Sequence, residues 1–256
     1  MLYRSFLITI AFFFTGEICS QTFLRNNIDL GIGFNQVKEE NLHPKVHSGV
    51  ILQPSFHHRF KSHHISELAW AMGYSKVKTR FEDLKASVNL QLNSSYRYLI
   101  KHTERENFSL ATGPGLNMRY HVSYYPRWDD SHLYWANQVN LSLENQLVYR
   151  INKARLVKGH LGLSLLSLIS RPMADRQYKI DDLSFRGIVE NFHSFSEFGS
   201  VDKAMELSYG IEFYNQPFPT RAYGIFYAFE HRRIQGVTSN LFQSNIQQIG
   251  FKQYFK

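Results

Sequence analysis

A length of 256 residues allows one large domain or two ordinary ones, and 29 basic against 21 acidic residues give a formal net charge of +8. The single cysteine, Cys19, excludes a fold held together by disulfide bonds within the chain. Aromatic residues make up 15% of the chain, with 15 tyrosines and 21 phenylalanines, which is a high share for a soluble domain.

The first 20 residues have the three-part layout of a secretory signal peptide. Arg4 supplies a positive charge, residues 6–14 form an apolar run, and small and polar residues follow. The apolar run is too short to cross a bilayer, which takes about 20 residues. We therefore predict a leader at residues 1–20, cleaved after Ser20, and a single domain at residues 21–256 that contains no cysteine.

Cleavage leaves the charge balance unchanged, because the leader carries one basic and one acidic residue, Arg4 and Glu17. In an exported protein this basic surplus favours anionic lipid or polysaccharide partners over nucleic acid. Glu17 and Ile18 stand where small residues would precede a lipid-modified cysteine, which disfavours an anchor on Cys19.

Residues 86–100 alternate between two faces over a length that exceeds the usual strand of about 5 or 6 residues. The apolar face carries Ala86, Val88, Leu90, Leu92, Ser94, Tyr96, Tyr98 and Ile100. The polar face carries Ser87, Asn89, Gln91, Asn93, Ser95, Arg97 and Leu99. This pattern predicts a long strand with one apolar side.

Similar alternation recurs along the chain and gives ten predicted strands. They lie at about 28–37, 48–60, 64–77, 86–100, 108–125, 136–150, 155–170, 203–214, 220–233 and 243–255. No segment of useful length has a helical period. Short connections such as "FKSH", "HTEREN", "INKA" and "NQPFPT" alternate with mostly longer ones such as "EENLHPK" and residues 171–200. We therefore predict an all-β, antiparallel up-and-down barrel with tight turns at one rim and loops at the other.

The polar face of these strands carries charges, whereas whole rows of leucine, tyrosine and phenylalanine occupy the opposite face. A bilayer explains this arrangement, because apolar side chains meet lipid and closure of the barrel pairs the backbone groups. The predicted lumen holds Asp29, Asn35, His57, Arg59, Glu67, Asn93, Arg97, Arg119, His121, Glu144, His160, Glu206, Glu212, Glu230 and Arg232. Small barrels fill their interiors with side chains, so a charged plug is favoured over a conducting pore.

The C-terminal "IGFKQYF" places Ile249, Phe251 and Phe255 at alternate positions. With the strand count and the leader, this ending resembles the small up-and-down barrels of the Gram-negative outer membrane. The resemblance implies a location in the outer membrane, contact with its lipid and lipopolysaccharide, and assembly by the barrel-assembly machinery through the last strand. It implies that the amino terminus and the short turns face the periplasm. It names no activity.

The stretch "HHRFKSHH" at residues 57–64 raises the question of a metal site. A turn there brings one histidine of each pair within reach of the other, but a structural zinc site needs four ligands. Glu67 is the one nearby acid, and Arg59 and Lys61 repel a cation. The stretch is better interpreted as a polar turn at the membrane interface. The chain has no glycine-rich phosphate loop or zinc-ligand array, so no metal or cofactor is expected.

Two hydrolase hypotheses rest on weak candidates. "WDDSHLYW" holds Asp129, Asp130 and His132 in a predicted outer loop, and the barrel proteases of the omptin family use acidic pairs and an Asp–His pair in such loops. The acids here are adjacent, whereas residues on one face of a strand are two apart. Lipid A acyl hydrolases on barrels use a lipid-facing Ser–His pair, but His121 and Ser123 share the lumen face.

The loop at residues 171–200 is the best candidate for a contact surface. It contains four aromatic residues, which are too many for a disordered connection: Phe185, Phe192, Phe195 and Phe198. They predict an ordered segment that either packs on neighbouring loops or binds a partner protein or a glycan. The leading hypothesis is therefore a structural or partner-binding barrel rather than an enzyme. The alternatives are a small channel for ions or solutes, or an outer-membrane hydrolase.

Overall fold

A computed structural model describes residues 25–40, 43–60, 64–78, 87–125, 132–172, 184–193, 196–218, 220–236 and 240–256. The predicted leader lies outside these residues. Twelve strands and one helix are formed within them. They are β1 (Asn26–Glu39), β2 (His43–Phe60), β3 (Ile65–Val77), β4 (Ser87–Arg105), β5 (Phe108–Tyr125), β6 (His132–Trp135), β7 (Asn137–Arg150), β8 (Arg155–Ser170), α1 (Phe185–His193), β9 (Ser196–Ser200), β10 (Ala204–Phe218), β11 (Arg221–Ile234) and β12 (Phe242–Phe255).

Ten long strands close into a ring. Each pairs with its neighbours in the order β10, β11, β12, β1, β2, β3, β4, β5, β7, β8, and β8 pairs back to β10. The ladders are antiparallel, and Asn26 at the start of β1 lies opposite Phe255 at the end of β12. Closure removes the open edges that would leave backbone groups unpaired in lipid. The predicted ten-stranded up-and-down barrel is thus confirmed.

Short and longer connections lie at opposite ends of the barrel. The short connections lie at the end where β1 begins and β12 ends, here called the terminal end. They are residues 61–64, 106–107, 151–154 and 219–220. The opposite end, here called the loop end, holds the others. One predicted loop, "EENLHPK", is shorter than expected, because β1–β2 pairing continues to Glu39 and His43. The predicted "HTEREN" turn is similarly reduced to two residues by the Arg105–Phe108 pair.

The outer surface of the wall is an apolar belt. Leu92 and Ile249, for example, are 56% and 61% exposed, although both are large apolar side chains. Such a surface is costly in water and favourable in hydrocarbon. Representative members from around the ring are Leu30, Ile32, Leu52, Trp70, Met72, Leu92, Leu116, Leu141, Leu161, Ile211, Ile225, Ile249 and Phe251. The predicted inversion of faces is therefore confirmed.

Apolar side chains pack inside the barrel near both ends. At the terminal end, Leu156, Tyr214, Ala222 and Tyr254 form one buried cluster, called the terminal plug. At the loop end a second cluster, called the loop plug, consists of Val37, Ala136, Ile169, Ala204, Ile234 and Phe242. The charged section of the lumen lies between these two plugs.

One short helix, at residues 185–193, was not predicted from the sequence pattern. The helix α1 has nine residues, which is too short for a clear period in the sequence. Ser184 caps its start, because its Oγ accepts a hydrogen bond from the Gly187 N–H at 3.1 Å. Packing rather than intrinsic propensity stabilises so short a helix. Among the described residues, no helix is long and apolar enough to span a membrane.

Candidate functional site

The lumen holds equal numbers of acidic and basic side chains among the residues that the structure describes. The seven acids are Asp29, Glu39, Glu67, Glu144, Glu206, Glu212 and Glu230, and the seven bases are Arg59, Arg97, Arg119, Lys158, Arg171, Arg232 and Lys252. With histidines neutral, the charge of this set is zero. A balanced interior provides no net field to select cations or anions.

Glu67 is the centre of the network near the terminal end. Its Oε1 lies 2.8 Å from Arg97 Nη2, and its Oε2 lies 2.9 Å from Arg59 Nη2. His57 connects it to a second acid, with Nδ1 3.2 Å from Glu67 and Nε2 3.1 Å from Asp29. One buried carboxylate thus compensates two guanidinium groups on neighbouring strands.

Two lysines complete this network. Lys252 Nζ lies 3.5 Å from Asp29 and 3.6 Å from Glu212. Lys158 Nζ lies 3.5 Å from Glu212 and donates to the Tyr254 hydroxyl at 2.9 Å. Tyr254 in turn donates to Glu212. Tyr254 therefore belongs to the terminal plug and is also hydrogen-bonded to the charged network.

Arg119 is the centre of the network near the loop end. Its Nε and Nη2 donate to Glu206 Oε1 at 3.0 and 2.9 Å, and Glu230 lies 3.5 Å away. Asn140 donates to the other oxygen of Glu206 at 2.5 Å. Arg119 and Glu206 lie on β5 and β10, so this contact crosses the lumen rather than following the wall.

Two further arginines hold the loop end together. Arg171 donates to Glu39 at 2.6 Å across 132 residues of sequence, and both side chains are almost fully buried. Arg232 donates to the Ala136 carbonyl at 3.2 Å, and its guanidinium lies 5.7 Å from the Phe242 ring centroid. These contacts attach the charged section to the loop plug.

A cavity of about 220 Å³ remains within the charged section. Both networks line it, and the lining includes Asp29, Glu67, Arg97, Arg119, Glu212 and Lys252. Its walls carry hydrogen-bond donors and acceptors and charged groups of both signs. Such a lining suits water or a polar group without net charge. Among the described residues, no group of three or more His, Cys, Asp or Glu side chains is placed to hold a metal ion.

The predicted lumen residues that remain also face the interior. Glu144 accepts from Ser142 at 2.7 Å and from Asn117 at 3.3 Å. His121 packs against Phe242, and His160 lies against Gly210. The predicted lumen set omitted Lys158 and Lys252, although strand alternation places Lys158 with His160 and Lys252 with Gly250. Strand alternation does not predict the Glu39–Arg171 pair, because Glu39 is the last residue of β1 and Arg171 follows the end of β8.

The histidine-rich stretch separates into two faces of the wall. His57 points into the lumen, whereas His58 points outward, with Nδ1 2.7 Å from Asn26 Oδ1. His64 packs edge-on against Tyr98, with ring centroids 5.5 Å apart. His63 lies outside the described residues, so the polar-turn interpretation stays a prediction.

The predicted hydrolase residues are only partly within the part of the chain that the structure describes. Asp129 and Asp130 lie outside the described residues, and of His132 only the backbone position at the start of β6 is described. His121 Nε2 lies 3.1 Å from Ser123 Oγ, and Asn89 Oδ1 contacts both. All three side chains are buried in the lumen, away from the apolar belt that a lipid substrate would contact.

The described residues 184–193 and 196–203, here called the outer segment, pack on the loop end. Phe192 stacks on Trp135 with ring centroids 5.3 Å apart. Its carbonyl accepts hydrogen bonds from Asn137 at 3.2 Å and Ser170 at 2.5 Å. The aromatic side chain of Phe192 is thus used for packing.

Other apolar side chains of the outer segment remain accessible. Phe198 is 81% exposed, and Val189 and Val201 are about 40% and 39% exposed. Of the two remaining predicted contact residues, Phe185 begins α1 without a described side chain, and Phe195 lies outside the described residues. The described apolar side chains that remain accessible in this segment are therefore those of Val189, Phe198 and Val201.

No protein-family model matches the chain, and a comparison with curated protein sequences finds no relative. Solved structures do match. The outer-membrane protease OmpT from Escherichia coli has a TM-score of 0.51 at 10% identity, covering 94% of this chain and 99% of that one. The Neisserial surface protein NspA has a TM-score of 0.38 at 7% identity, with coverages of 90% and 97%. An outer-membrane channel from Pseudomonas putida F1 has a TM-score of 0.38 at 8% identity, with coverages of 93% and 100%.

At this level of identity the likeness to OmpT concerns the fold alone. It agrees with the closed ring of ten antiparallel strands and with the apolar belt around them. The chain is therefore a transmembrane β-barrel with the fold of the outer-membrane proteins, which agrees with the predicted location in the outer membrane.

Proposed function

We propose that the protein is a non-conducting barrel that holds the outer segment at the cell surface for contact with a partner protein or glycan. The observation that carries the proposal is the contrast between the two parts of the molecule. Between two apolar plugs, the lumen carries compensated charges around a cavity of about 220 Å³. The outer segment, by contrast, is fixed to the rim and leaves apolar side chains accessible.

The lumen contacts favour a closed barrel over a channel. Arg119 of β5 and Glu206 of β10 reach each other inside the lumen past the intervening β7 and β8, so the pair narrows the path that a solute would follow along the axis. Breaking a buried ion pair costs about 3–5 kcal/mol. Both plugs would also have to open, which exposes apolar surface to water.

The outer segment has the features of a recognition surface. Phe192, Asn137 and Ser170 fix the end of α1, so partner binding would not have to order a flexible loop. Next to the exposed Val189 on α1, the charged side chains of Arg186 and Glu190 form an i,i+4 pair at the surface. An apolar centre with a charged rim is the usual arrangement of a protein contact site.

Site-specific photo-crosslinking in living cells tests this proposal. A photoreactive residue at Val189 or Phe198 should give discrete adducts with one macromolecule, identified by mass spectrometry. The same residue at Phe251, which lies on the lipid belt, is the matched control. Adducts at all three positions alike, or at none, would contradict the proposal.

A second candidate function is proteolysis, which is favoured by the fold similarity to OmpT. Under this alternative, Asp129→Ala or His132→Ala abolishes cleavage of a peptide library by the folded barrel. Turnover by both variants at the wild-type rate would remove it.

A further inference from the structure

The apolar belt is interrupted on the outer surface of three neighbouring strands, β11, β12 and β1. Polar side chains point outward there, because they alternate along each strand with residues that are buried in the lumen. They are Gln36, Lys38, His231, Arg233, Gln243, Asn245 and Gln247, here called the polar face. Cross-strand pairing places them in adjoining rows, so they form one continuous surface.

Gln247 shows that the polar face reaches into the belt. Its cross-strand neighbours are Phe229 on one side and Phe34 on the other, and the same row continues to Tyr209 and Val50. Phe34, Tyr209 and Val50 are large apolar side chains exposed on the outer wall. An exposed amide therefore stands in a row of side chains that meet hydrocarbon.

The corresponding positions elsewhere on the barrel are apolar. The second, fourth and sixth residues of β4 are Val88, Leu90 and Leu92, whereas the same places in β12 hold members of the polar face. Both strands begin at the loop end. The change from apolar to polar is therefore a difference between two sides of the barrel and not between its two ends.

The glutamine amides of the polar face lack partners within the described part of the chain. His231 and Asn245 share a hydrogen bond of 2.5 Å, but Gln36, Gln243 and Gln247 make no side-chain hydrogen bond with the described residues. Moving an amide from water into hydrocarbon without a partner costs about 4–8 kcal/mol. A neighbour that supplies hydrogen bonds would remove this cost, whereas lipid tails would not.

The charges of the polar face favour an uncharged, amide-bearing partner surface. Lys38 Nζ lies 2.5 Å from Glu40 at the rim, so with His231 neutral Arg233 is the one charge of the face without an ion pair among the described residues. A single free cation is a poor match for a polyanionic ligand. Amides both donate and accept hydrogen bonds, so a surface of amides is complementary to an identical surface.

We propose that the polar face is a dimer interface within the membrane, occupied by the polar face of a second copy of this chain. Both copies cross the bilayer in the same direction, so the two-fold axis runs along the membrane normal. With this axis beside the central strand β12, Gln247 meets its counterpart, and β11 of each copy faces β1 of the other. The two Arg233 side chains then lie at opposite borders of the interface, each near a Lys38–Glu40 pair, and like charges do not meet.

Disulfide formation tests the contact, because residues 21–256 contain no cysteine. Gln247→Cys is folded into vesicles, oxidised, and examined on a non-reducing gel. It should form a covalent dimer, because the two-fold axis brings this position next to its counterpart. Leu92→Cys, the matched control at the sixth position of β4, should stay monomeric. Equal dimer yields from the two variants would indicate random collision and would overturn the interface.

Förster transfer between copies labelled at Glu106→Cys, in an exposed turn at the terminal end, measures the strength of the contact. Adding Gln243→Leu and Gln247→Leu makes the face apolar and should lower the association constant by about tenfold or more, or about 1.4 kcal/mol. Heat-dependent gel mobility checks that each variant is folded. An unchanged association constant would overturn the role of the amides, and a labelled protein without these leucines that stays monomeric at every lipid dilution would overturn the dimer.

Discussion

Replacing Glu67 by glutamine should destabilise the barrel strongly while changing almost nothing in volume. The carboxylate is 5% exposed and lies 2.8 and 2.9 Å from Arg97 and Arg59. Glutamine would leave two guanidinium groups without their counter-charge, and breaking a buried pair costs about 3–5 kcal/mol. Because both arginine side chains are about one quarter exposed, we expect the lower end, about 3 kcal/mol.

Urea titration of the barrel in lipid vesicles measures this cost, with tryptophan fluorescence and heat-dependent gel mobility as coincident probes. Glu104→Gln is the matched control, because its pair with Lys101 is 3.1 Å long but exposed, and such pairs contribute about 0–1 kcal/mol. The double variant Glu67→Gln, Arg97→Gln should recover part of the loss. A cost below about 1 kcal/mol would refute the reasoning, since the arginines would then be adequately hydrated without Glu67.

Three further predictions concern the wall and the rim. Leu92→Arg places a charge on the lipid face and should cost about 2–4 kcal/mol in the same titration, whereas Lys76→Arg should be neutral; equal stability of the two would reverse the assigned faces. Gly33→Ala should block assembly, because a Cβ there would lie 2.0 Å from the Gln247 carbonyl oxygen, whereas Gly159→Ala, with 4.0 Å to its nearest neighbour, should assemble. Failure of both, or of neither, in the gel-mobility assay would contradict this. Phe192→Ala removes a ring stack worth about 0.5–1.5 kcal/mol, so limited proteolysis should cut the outer segment faster; an unchanged cleavage rate would show that the stack does not hold α1.

The barrel could be predicted from the sequence because a single physical constraint repeats in every strand. Each wall residue must face either lipid or the lumen, and the two environments differ so sharply that residues such as Leu92 and Asn93 cannot be exchanged. The same alternation assigns Arg97 and Glu206 to the interior. It carries no information about which interior side chains meet.

The partners inside the lumen depend on register and curvature, which the alternation does not specify. Arg119 meets Glu206 across 87 residues, and Arg171 meets Glu39 across 132. The helix α1 was missed because its stability depends on Trp135, which is distant in sequence.

Single-channel recording in a planar bilayer tests the central claim most directly. The protein is first shown to be folded by its heat-dependent gel mobility and is then inserted at low density. The closed lumen, with its plugs and the Arg119–Glu206 pair, predicts no discrete current steps over the membrane baseline. Reproducible steps from the folded wild type would contradict the account and make the charged lumen a conducting path.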